Sequence, residues 1–185
     1  MKIDKYLSEH QDILNNEIDK SDTTLLIKAP TGTGKTTSIL KYCRENKDKK
    51  IALLCPVRAL VDNLEEQHTD ITCGYGGVFT YQNRDENLII TTYDSVKFLV
   101  DFDMIFIDEA HLIAGHSNFR QVTRDLLNFK GKKILLSGTP ELIERLGYRQ
   151  IDFELKNAVK KTINISNEKY NKDNLIYSIC DQTNR

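Results

Sequence analysis

Residues 29–36 read APTGTGKT and stand between an apolar run, TLLIKA (24–29), and a polar segment with helical periodicity (36–45). Gly32 and Gly34 can adopt backbone conformations barred to other residues, so the N–H groups of such a segment can turn toward one point. The N-terminus of the following helix would add partial positive charge there. The segment therefore predicts a strand, an anion-binding loop and a helix in succession. A solvated Gly/Thr turn with a chance lysine is the alternative.

Two side chains of this segment have the chemistry to complete a nucleotide site. Lys35 would reach the β- and γ-phosphates of a nucleotide, and the hydroxyl of Thr36 would complete the ligand shell of a Mg²⁺ ion. We therefore expect ATP and Mg²⁺ to bind here. The predicted contact residues are Thr31, Gly32, Thr33, Gly34, Lys35, Thr36 and Thr37.

A carboxylate pair, Asp108 and Glu109, follows the apolar run MIFI (104–107). Asp108 would hold Mg²⁺ through water, while Glu109 would orient and deprotonate the water that attacks the γ-phosphate. Taken alone, an acidic pair at the end of a strand is more often the charge at a helix N-terminus. Together with the lysine loop, the pair predicts ATP hydrolysis with Lys35, Asp108 and Glu109 as the catalytic residues.

Short apolar runs alternate with polar, periodic segments along most of the chain. The runs are apolar on both alternating faces, as is typical of strands in a parallel sheet covered on both sides. They lie at 24–29, 51–55, 87–92, 104–108 and 133–137. Helices are predicted from Lys2 to about Ile18 and over 36–45, 59–67, 95–100 and 119–129, with glycine loops at 74–77 and 131. The alternation predicts an α/β fold, a doubly wound and mostly parallel sheet with helices on both faces.

The last part of the chain has a different composition. Two further strands, QIDFEL (150–155) and KTINIS (161–166), are followed by a polar break at 167–173 and a short helix at 174–181. The change in composition predicts one domain over 1–167 and a linker with a helix over 168–185.

Composition limits the partners and the location of the chain. Its 26 basic and 27 acidic residues give a net charge of -1, so no global field attracts nucleic acid or a membrane. No apolar stretch approaches the roughly 20 residues that span a bilayer, and we expect a soluble cytoplasmic monomer without membrane contact. We expect reduced thiols without a metal or redox role, since no C-x-x-C pair occurs among Cys43, Cys55, Cys73 and Cys180.

At this point the chain resembles the superfamily-two helicases of the DEAH type. Residues 108–111 read DEAH, the second motif of that family, and APTGTGKT matches its first motif, including the leading alanine. Three more segments follow the family's order: PVRALV (56–61) resembles motif Ia, TTYDS (91–95) motif Ic, and SGTP (137–140) motif III. The set covers about residues 5 to 150. One departure is Gly138, where alanine is commoner in the family.

The resemblance implies a P-loop NTPase fold, the RecA-like first lobe of a helicase or translocase that binds single-stranded nucleic acid. Pro56, Arg58 and Thr92 follow strands at the sheet edge where ligands bind in open α/β folds, and Gly76 is expected on the same face. Arg58 could instead be an ordinary arginine at a helix start, paired with Glu65 or Glu66. His111, Ser137 and Thr139 resemble the relay that links the ATP state to the grip on the strand. Thr139 could equally cap a turn.

Gln11 lies 24 residues before Lys35, near where several helicase families carry a glutamine that reads adenine. Tyr6 could stack on the base. Alternatively, the two residues are ordinary surface and core positions of an amphipathic helix.

The segment TTYDS favours DNA over RNA as the bound strand.

No arginine-finger motif follows Pro140, and residues 174–180 resemble the beginning of a second RecA-like lobe. The sequence therefore predicts a weak ATPase without unwinding activity unless that second lobe is present. The alternative function is a regulatory or structural nucleotide switch that never translocates. A phosphoryl-transferring kinase would need an arginine-rich lid, which residues 59–81 do not supply.

Overall fold

The computed structural model describes residues 1–79, 85–115 and 120–156. The strands are β1 (Lys2–Ile3), β2 (Thr24–Lys28), β3 (Ile51–Cys55), β4 (Ile71–Tyr75), β5 (Val78–Phe79), β6 (Asp85–Thr92), β7 (Met104–Ile107), β8 (Lys132–Ser137), β9 (Arg149–Asp152) and β10 (Glu154–Leu155). The α-helices are α1 (Gln11–Lys20), α2 (Lys35–Glu45), α3 (Arg58–Gln67), α4 (His111–Gly115), α5 (Arg120–Asn128) and α6 (Glu141–Glu144). Two 3₁₀ helices span Leu7–His10 and Tyr93–Phe98.

Eight strands form the main sheet in the order β5-β4-β6-β3-β7-β8-β2-β9, and β1 pairs separately with β10. Every pairing in the main sheet is parallel except that of β5, which forms a hairpin with β4. The predicted doubly wound, mostly parallel sheet is therefore confirmed. Because β8 lies between β2 and β7, the loops that follow these three strands meet at one edge of the sheet.

The hydrophobic core forms two layers, one on each face of the sheet. Consecutive residues of β2 alternate between the layers: Leu25 and Ile27 pack with α1 and α2 residues, and Leu26 packs on the opposite face. All five residues of β3 are buried, because the strand is central and covered on both sides. Full burial of a leucine or isoleucine side chain contributes about 1.5 to 3 kcal/mol, so these strands anchor the sheet.

The N-terminal segment differs from the single helix predicted from Lys2 to Ile18. Lys2 and Ile3 pair in parallel with Glu154 and Leu155, and the α-helix begins only at Gln11. The carboxylate of Glu9 accepts the backbone N–H groups of residues 4, 5 and 6 at 2.7 Å each. These bonds lower the pKa of Glu9 to about 2. Leu7, Leu14 and Ile18 are buried on one side of this segment. Local periodicity could not detect a strand whose partner lies 152 residues away, as Lys2 pairs with Glu154.

The glycine segment at 74–77 was only partly a loop. Gly74 lies inside β4, whereas Gly76 and Gly77 form the β4–β5 turn with φ of +66° and +81°. The helix predicted at 95–100 is a 3₁₀ helix that begins two residues earlier, at Tyr93. Both differences place the residues after β4 and β6 close together at the sheet edge.

The predicted strand QIDFEL is divided between two sheets. β9 adds to the main sheet beside β2, while β10 pairs with β1. The chain passes from one to the other at Phe153, which is buried and donates its N–H to the carbonyl of Lys28 at 2.8 Å. The predicted strand at 161–166, the boundary near 168 and the helix at 174–181 lie outside the described residues.

Three of the cysteines are buried side chains in the described part of the chain. Cys43, Cys55 and Cys73 are 3% exposed or less, and burial raises the pKa of Cys55 to about 12. Cys180 lies outside the described residues.

Within the described part of the chain, no helix combines the length and the apolar character needed to cross a bilayer.

Candidate nucleotide-binding and hydrolysis site

The loop between β2 and α2 has the left-handed turns that its glycines allow. Gly32 and Gly34 have φ of +79° and +72°, and α2 begins at the next residue, Lys35. The hydroxyl of Thr33 donates to the carbonyl of Pro30 at 2.8 Å, which closes the loop on itself. Thr31, Gly32 and Thr37 are exposed, so the loop is open to a ligand.

Lys35 points into this loop. Its side chain is 7% exposed, and Nζ donates to the carbonyls of Ala29 at 3.1 Å and Pro30 at 3.3 Å. A buried ammonium that is held by neutral carbonyls can exchange them for anionic oxygens at little conformational cost. Thr36 lies beside it in the first turn of α2. The loop and these two side chains therefore fit the phosphates of a nucleotide.

The acidic pair begins directly after β7. The N–H of Asp108 donates to the carbonyl of Leu54 at 2.9 Å, and the N–H of Glu109 donates to Asp108 Oδ1 at 3.0 Å. Burial and the neighbouring Glu109 carboxylate raise the pKa of Asp108, whereas the Lys35 ammonium opposes this shift. The lysine and the aspartate thus interact electrostatically across the edge of the sheet.

The predicted relay residues form one network. His111 Nδ1 lies 3.1 Å from Ser137 Oγ and 3.4 Å from Glu109 Oε2, and the N–H of Thr139 donates to Ser137 Oγ at 3.1 Å. The carbonyl of Ser137 accepts the N–H of Ala29 at 3.0 Å. The network connects the second acidic residue with the beginning of the loop through β8. Thr139 takes part through its N–H, while its side chain is exposed.

Gly138 lies against the loop, which gives its departure from the family pattern a structural consequence. A Cβ at this position would lie 3.3 Å from Thr31 Oγ1 and 3.4 Å from the carbonyl of Ala29. Contacts at 3.0 to 3.4 Å are tight, so an alanine would press on the loop. The glycine leaves the loop slightly more room.

The two residues predicted to contact adenine differ in their exposure. Gln11 is 5% exposed, and its Nε2 donates to Asn15 Oδ1 at 2.8 Å and to the carbonyl of Ser38 at 3.0 Å. Its amide faces α2 and would have to rotate outward to read a base. Tyr6 is 43% exposed, and its ring lies 3.6 Å from the position that a Cβ of Gly34 would take. Tyr6 therefore lies beside the loop with part of its ring free.

The residues predicted to contact a nucleic-acid strand lie at the carboxyl ends of β3, β4 and β6. The guanidinium of Arg58 stacks on the ring of Tyr75 at 4.7 Å from its centroid. The N–H of Gly76 donates to Ser95 Oγ at 3.1 Å, and Thr92 Oγ1 lies 3.5 Å from the same oxygen. Pro56 directly follows β3. Pro56, Arg58, Gly76 and Thr92 were predicted from the sequence. Tyr75, which precedes Gly76, was not predicted, and Ser95 was given no role although it is the last residue of the TTYDS segment.

Magnesium ligands are few among the described residues, which hold no group of three or more His, Cys, Asp and Glu side chains that could bind a metal by itself. Asp108 and the Thr36 hydroxyl are the oxygen groups predicted to hold Mg²⁺. Mg²⁺ is commonly bound by one or two carboxylates, waters and substrate phosphates, so this donor set fits an ion that arrives with a nucleotide.

The strand order, the loop after β2 and the acidic pair after β7 define an α/β domain of the P-loop, RecA-like class. A sequence model of the family described as "Type III restriction enzyme, res subunit" matches residues 1–142. The chain belongs to this family. The resemblance of its motifs to those of the superfamily-two helicases is thereby confirmed at the level of the family.

Two viral proteins are among its relatives. The genome polyprotein of zucchini yellow mosaic virus (strain Reunion Island) is 27% identical over 158 residues, which are 78% of this chain and 5% of the polyprotein. A probable helicase of African swine fever virus is 41% identical over 73 residues, which are 38% of this chain and 8% of that protein. The chain therefore spans only a small part of the length of these curated relatives.

Solved structures of helicases share the fold. The helicase domain of Hef from Pyrococcus furiosus superposes with a TM-score of 0.60 and 20% identity, over 80% of this chain and 38% of that one. A hypothetical ATP-dependent RNA helicase from Sulfolobus tokodaii gives 0.55 and 20% identity, over 78% and 51%. At this identity the likeness shows the fold alone.

Proposed function

We propose that the chain is the ATP-binding motor lobe of a nucleic-acid translocase, which binds Mg-ATP and a single strand and couples hydrolysis to strand movement when a second RecA-like lobe is present. One observation carries the proposal. The network of Glu109, His111 and Ser137 reaches the phosphate loop through Ala29, and Arg58 and Thr92 lie along the same sheet edge. A protein that only switches with bound nucleotide and never translocates needs the phosphate loop. It does not need a hydrogen-bond network that connects the loop to a nucleic-acid-binding edge of the sheet.

The chain's own groups divide the work of hydrolysis. Lys35 neutralises the terminal phosphates, and Glu109 accepts a proton from the attacking water. Bound Mg²⁺, held by Asp108 and Thr36, would neutralise charge on the β- and γ-phosphate oxygens. His111 touches both Glu109 and Ser137, so a change at the γ-phosphate can reach the segment after β8.

DNA is the strand that we favour. The family is described as a restriction-enzyme subunit, and the segment TTYDS (91–95) resembles DNA translocases slightly more than RNA helicases. Fluorescence anisotropy with DNA and RNA oligonucleotides of the same sequence and length tests the preference. Tighter binding of the RNA would overturn the choice of DNA while leaving the motor proposal intact.

Replacing Arg58 by alanine should weaken single-strand binding and reduce its salt dependence. Two or three phosphate contacts predict a slope of log K against log salt of about -1.5 to -2, at roughly 0.7 per phosphate. Loss of one contact should move that slope toward zero by about 0.7. Anisotropy titrations at four salt concentrations measure both quantities.

Arg145→Ala is the matched control, since Arg145 is exposed after α6 and its replacement removes the same charge away from the predicted strand. It should leave affinity and slope almost unchanged. Equal affinity and slope for Arg58→Ala and the parent would mean that the strand binds elsewhere.

The 185-residue chain alone should hydrolyse ATP slowly, and added nucleic acid should not raise the rate. Stimulation requires an arginine brought against the γ-phosphate, a contribution of about a thousandfold or more in related phosphoryl transfers. No arginine-finger motif follows Pro140 in this sequence. Steady-state turnover with and without single strands tests this. Strong stimulation, at a rate independent of protein concentration, would show that one chain supplies its own arginine.

A further inference from the structure

Tyr93 is hydrogen-bonded to the peptide between Asp108 and Glu109 from the sheet face that contains Leu26. The phenol hydroxyl of Tyr93 donates to the carbonyl of Asp108 and lies 3.2 Å from the carbonyl of Glu109. Tyr93 is 1% exposed and belongs to the core layer that contains Leu54 and Ile107.

Glu109 has an unusual backbone conformation. Its φ is +46°, and within the described residues it is the one non-glycine residue with positive φ. A side chain in the left-handed region costs energy relative to the right-handed region, and such a conformation persists only where the surroundings impose it. The conformation determines where the carboxylate of Glu109 points, which is toward His111 at 3.4 Å.

The N–H of this peptide donates to Asp108 Oδ1 at 3.0 Å, a bond within the acidic pair itself, and hydrogen bonds to other strands fix its neighbours. The N–H groups of Asp108 and Ala110 donate to β3 and β8, at the carbonyls of Leu54 and Leu136. The carbonyl of Glu109 also accepts the N–H of Leu112. The φ angle of Glu109 depends on the orientation of the preceding peptide, and the carbonyl of that peptide is bonded to Tyr93. Within the described residues, the phenol is therefore the group outside the acidic pair that is placed to impose the positive φ.

We propose that Tyr93 is a positioning residue for Glu109: its hydroxyl rotates the 108–109 peptide and thereby holds the carboxylate in the orientation needed for hydrolysis. This inference rests on the proposed ATP hydrolysis, but the hold itself can be measured without any nucleotide.

The first experiment measures the melting temperatures of Glu109→Ala and Glu109→Gly, each with Tyr93 and with Tyr93→Phe. Glycine accepts positive φ freely and alanine does not, so with Tyr93 the glycine variant should melt about 2 °C or more above the alanine variant. In the Tyr93→Phe background the peptide can rotate back, and that advantage should vanish or reverse. If Glu109→Gly melts above Glu109→Ala by the same amount with Tyr93 and with Tyr93→Phe, Tyr93 does not impose the conformation. The same conclusion follows if the two variants melt at the same temperature with Tyr93 present. If the phenylalanine variants do not fold, the melting temperatures of Glu109→Ala and Glu109→Gly in chains that retain Tyr93 still decide whether the conformation at residue 109 is strained.

The second experiment measures single-turnover hydrolysis of radiolabelled ATP by the 185-residue chain, together with Mg-ATP affinity. Tyr93→Phe should lower the rate about ten- to a hundredfold, because a small misplacement of a reacting group has effects of that size, while Mg-ATP affinity stays within about twofold. Tyr42→Phe is the control, since Tyr42 is equally buried and its hydroxyl donates to Asp19 Oδ1 at 2.7 Å, away from the site.

Tyr42→Phe should keep the parent rate even if it lowers the melting temperature. The parent rate in Tyr93→Phe overturns the positioning role. A parent chain without any turnover contradicts the proposed function instead, and the alanine and glycine melting temperatures then decide whether Tyr93 holds the peptide.

Discussion

Lys35→Ala is expected to lower Mg-ATP affinity by about a hundredfold or more, because a charge-assisted bond to a phosphate contributes about 1.5 to 3 kcal/mol and this ammonium would reach two phosphates. The fold should persist. Among the described residues, Lys35 Nζ donates to the loop carbonyls of Ala29 and Pro30, and its loss leaves the strands of the core untouched. Calorimetric titration with Mg-ATP and a thermal melt measure the two effects.

Lys41→Ala is the control for this prediction. Lys41 lies on the same helix, and its side chain is 56% exposed and 4.0 Å from Glu45. The substitution removes the same charge at a distance from the loop, so it should leave Mg-ATP affinity unchanged. An unaltered affinity in Lys35→Ala would contradict the assignment of residues 29–36 as the phosphate loop.

The strands of the main sheet were predictable because their pattern is local. Five apolar runs gave β2, β3, β6, β7 and β8 within two residues at each end, since a strand covered on both faces is continuously apolar. β4 was missed because Thr72 and Gly74 interrupt the apolar residues of ITCGY (71–75). β1 was missed for another reason: its partner, β10, lies 152 residues further along the chain, since Lys2 pairs with Glu154.

The residues of the site were predictable where their position relative to a predicted strand fixes their place in the fold. Lys35, Asp108 and Ser137 each end or follow a predicted strand, and parallel strands bring their carboxyl ends to one edge. Spacing could not show which way a side chain turns. Gln11 has the expected sequence spacing of 24 residues before Lys35, yet its amide is directed at Asn15 and Ser38 inside the fold.

Tyr93 illustrates a second limit of the sequence. In TTYDS (91–95) it is an ordinary aromatic residue after a strand, and its contact with the acidic pair depends on the packing of β6, β3 and β7 side by side. Tyr75 is similar, because its stacking on Arg58 joins β4 to α3 across the sheet edge. Contacts between separate motifs required the tertiary structure.

Glu109→Gln should lower ATP turnover about a hundredfold or more and leave Mg-ATP affinity nearly unchanged. The amide cannot accept the proton of the attacking water, which is the role proposed for the carboxylate. Affinity should persist because Lys35, Thr36 and Asp108 remain, and the hydrogen bond from the Glu109 N–H to Asp108 Oδ1 comes from the backbone. Glutamine also preserves the length of the side chain and its approach to His111.

Glu141→Gln provides the matched control, since Glu141 is an exposed residue at the start of α6 and loses the same charge outside the site. Its rate should equal that of the parent. Single-turnover hydrolysis distinguishes the chemical step from product release, so a slow rate in Glu109→Gln would identify a defect in proton transfer or water positioning. An unchanged rate would remove Glu109 from the role of base. A large loss of affinity would instead assign its carboxylate to the binding of Mg-ATP, because a group that acts only on the attacking water contributes to the rate and not to the ground-state complex.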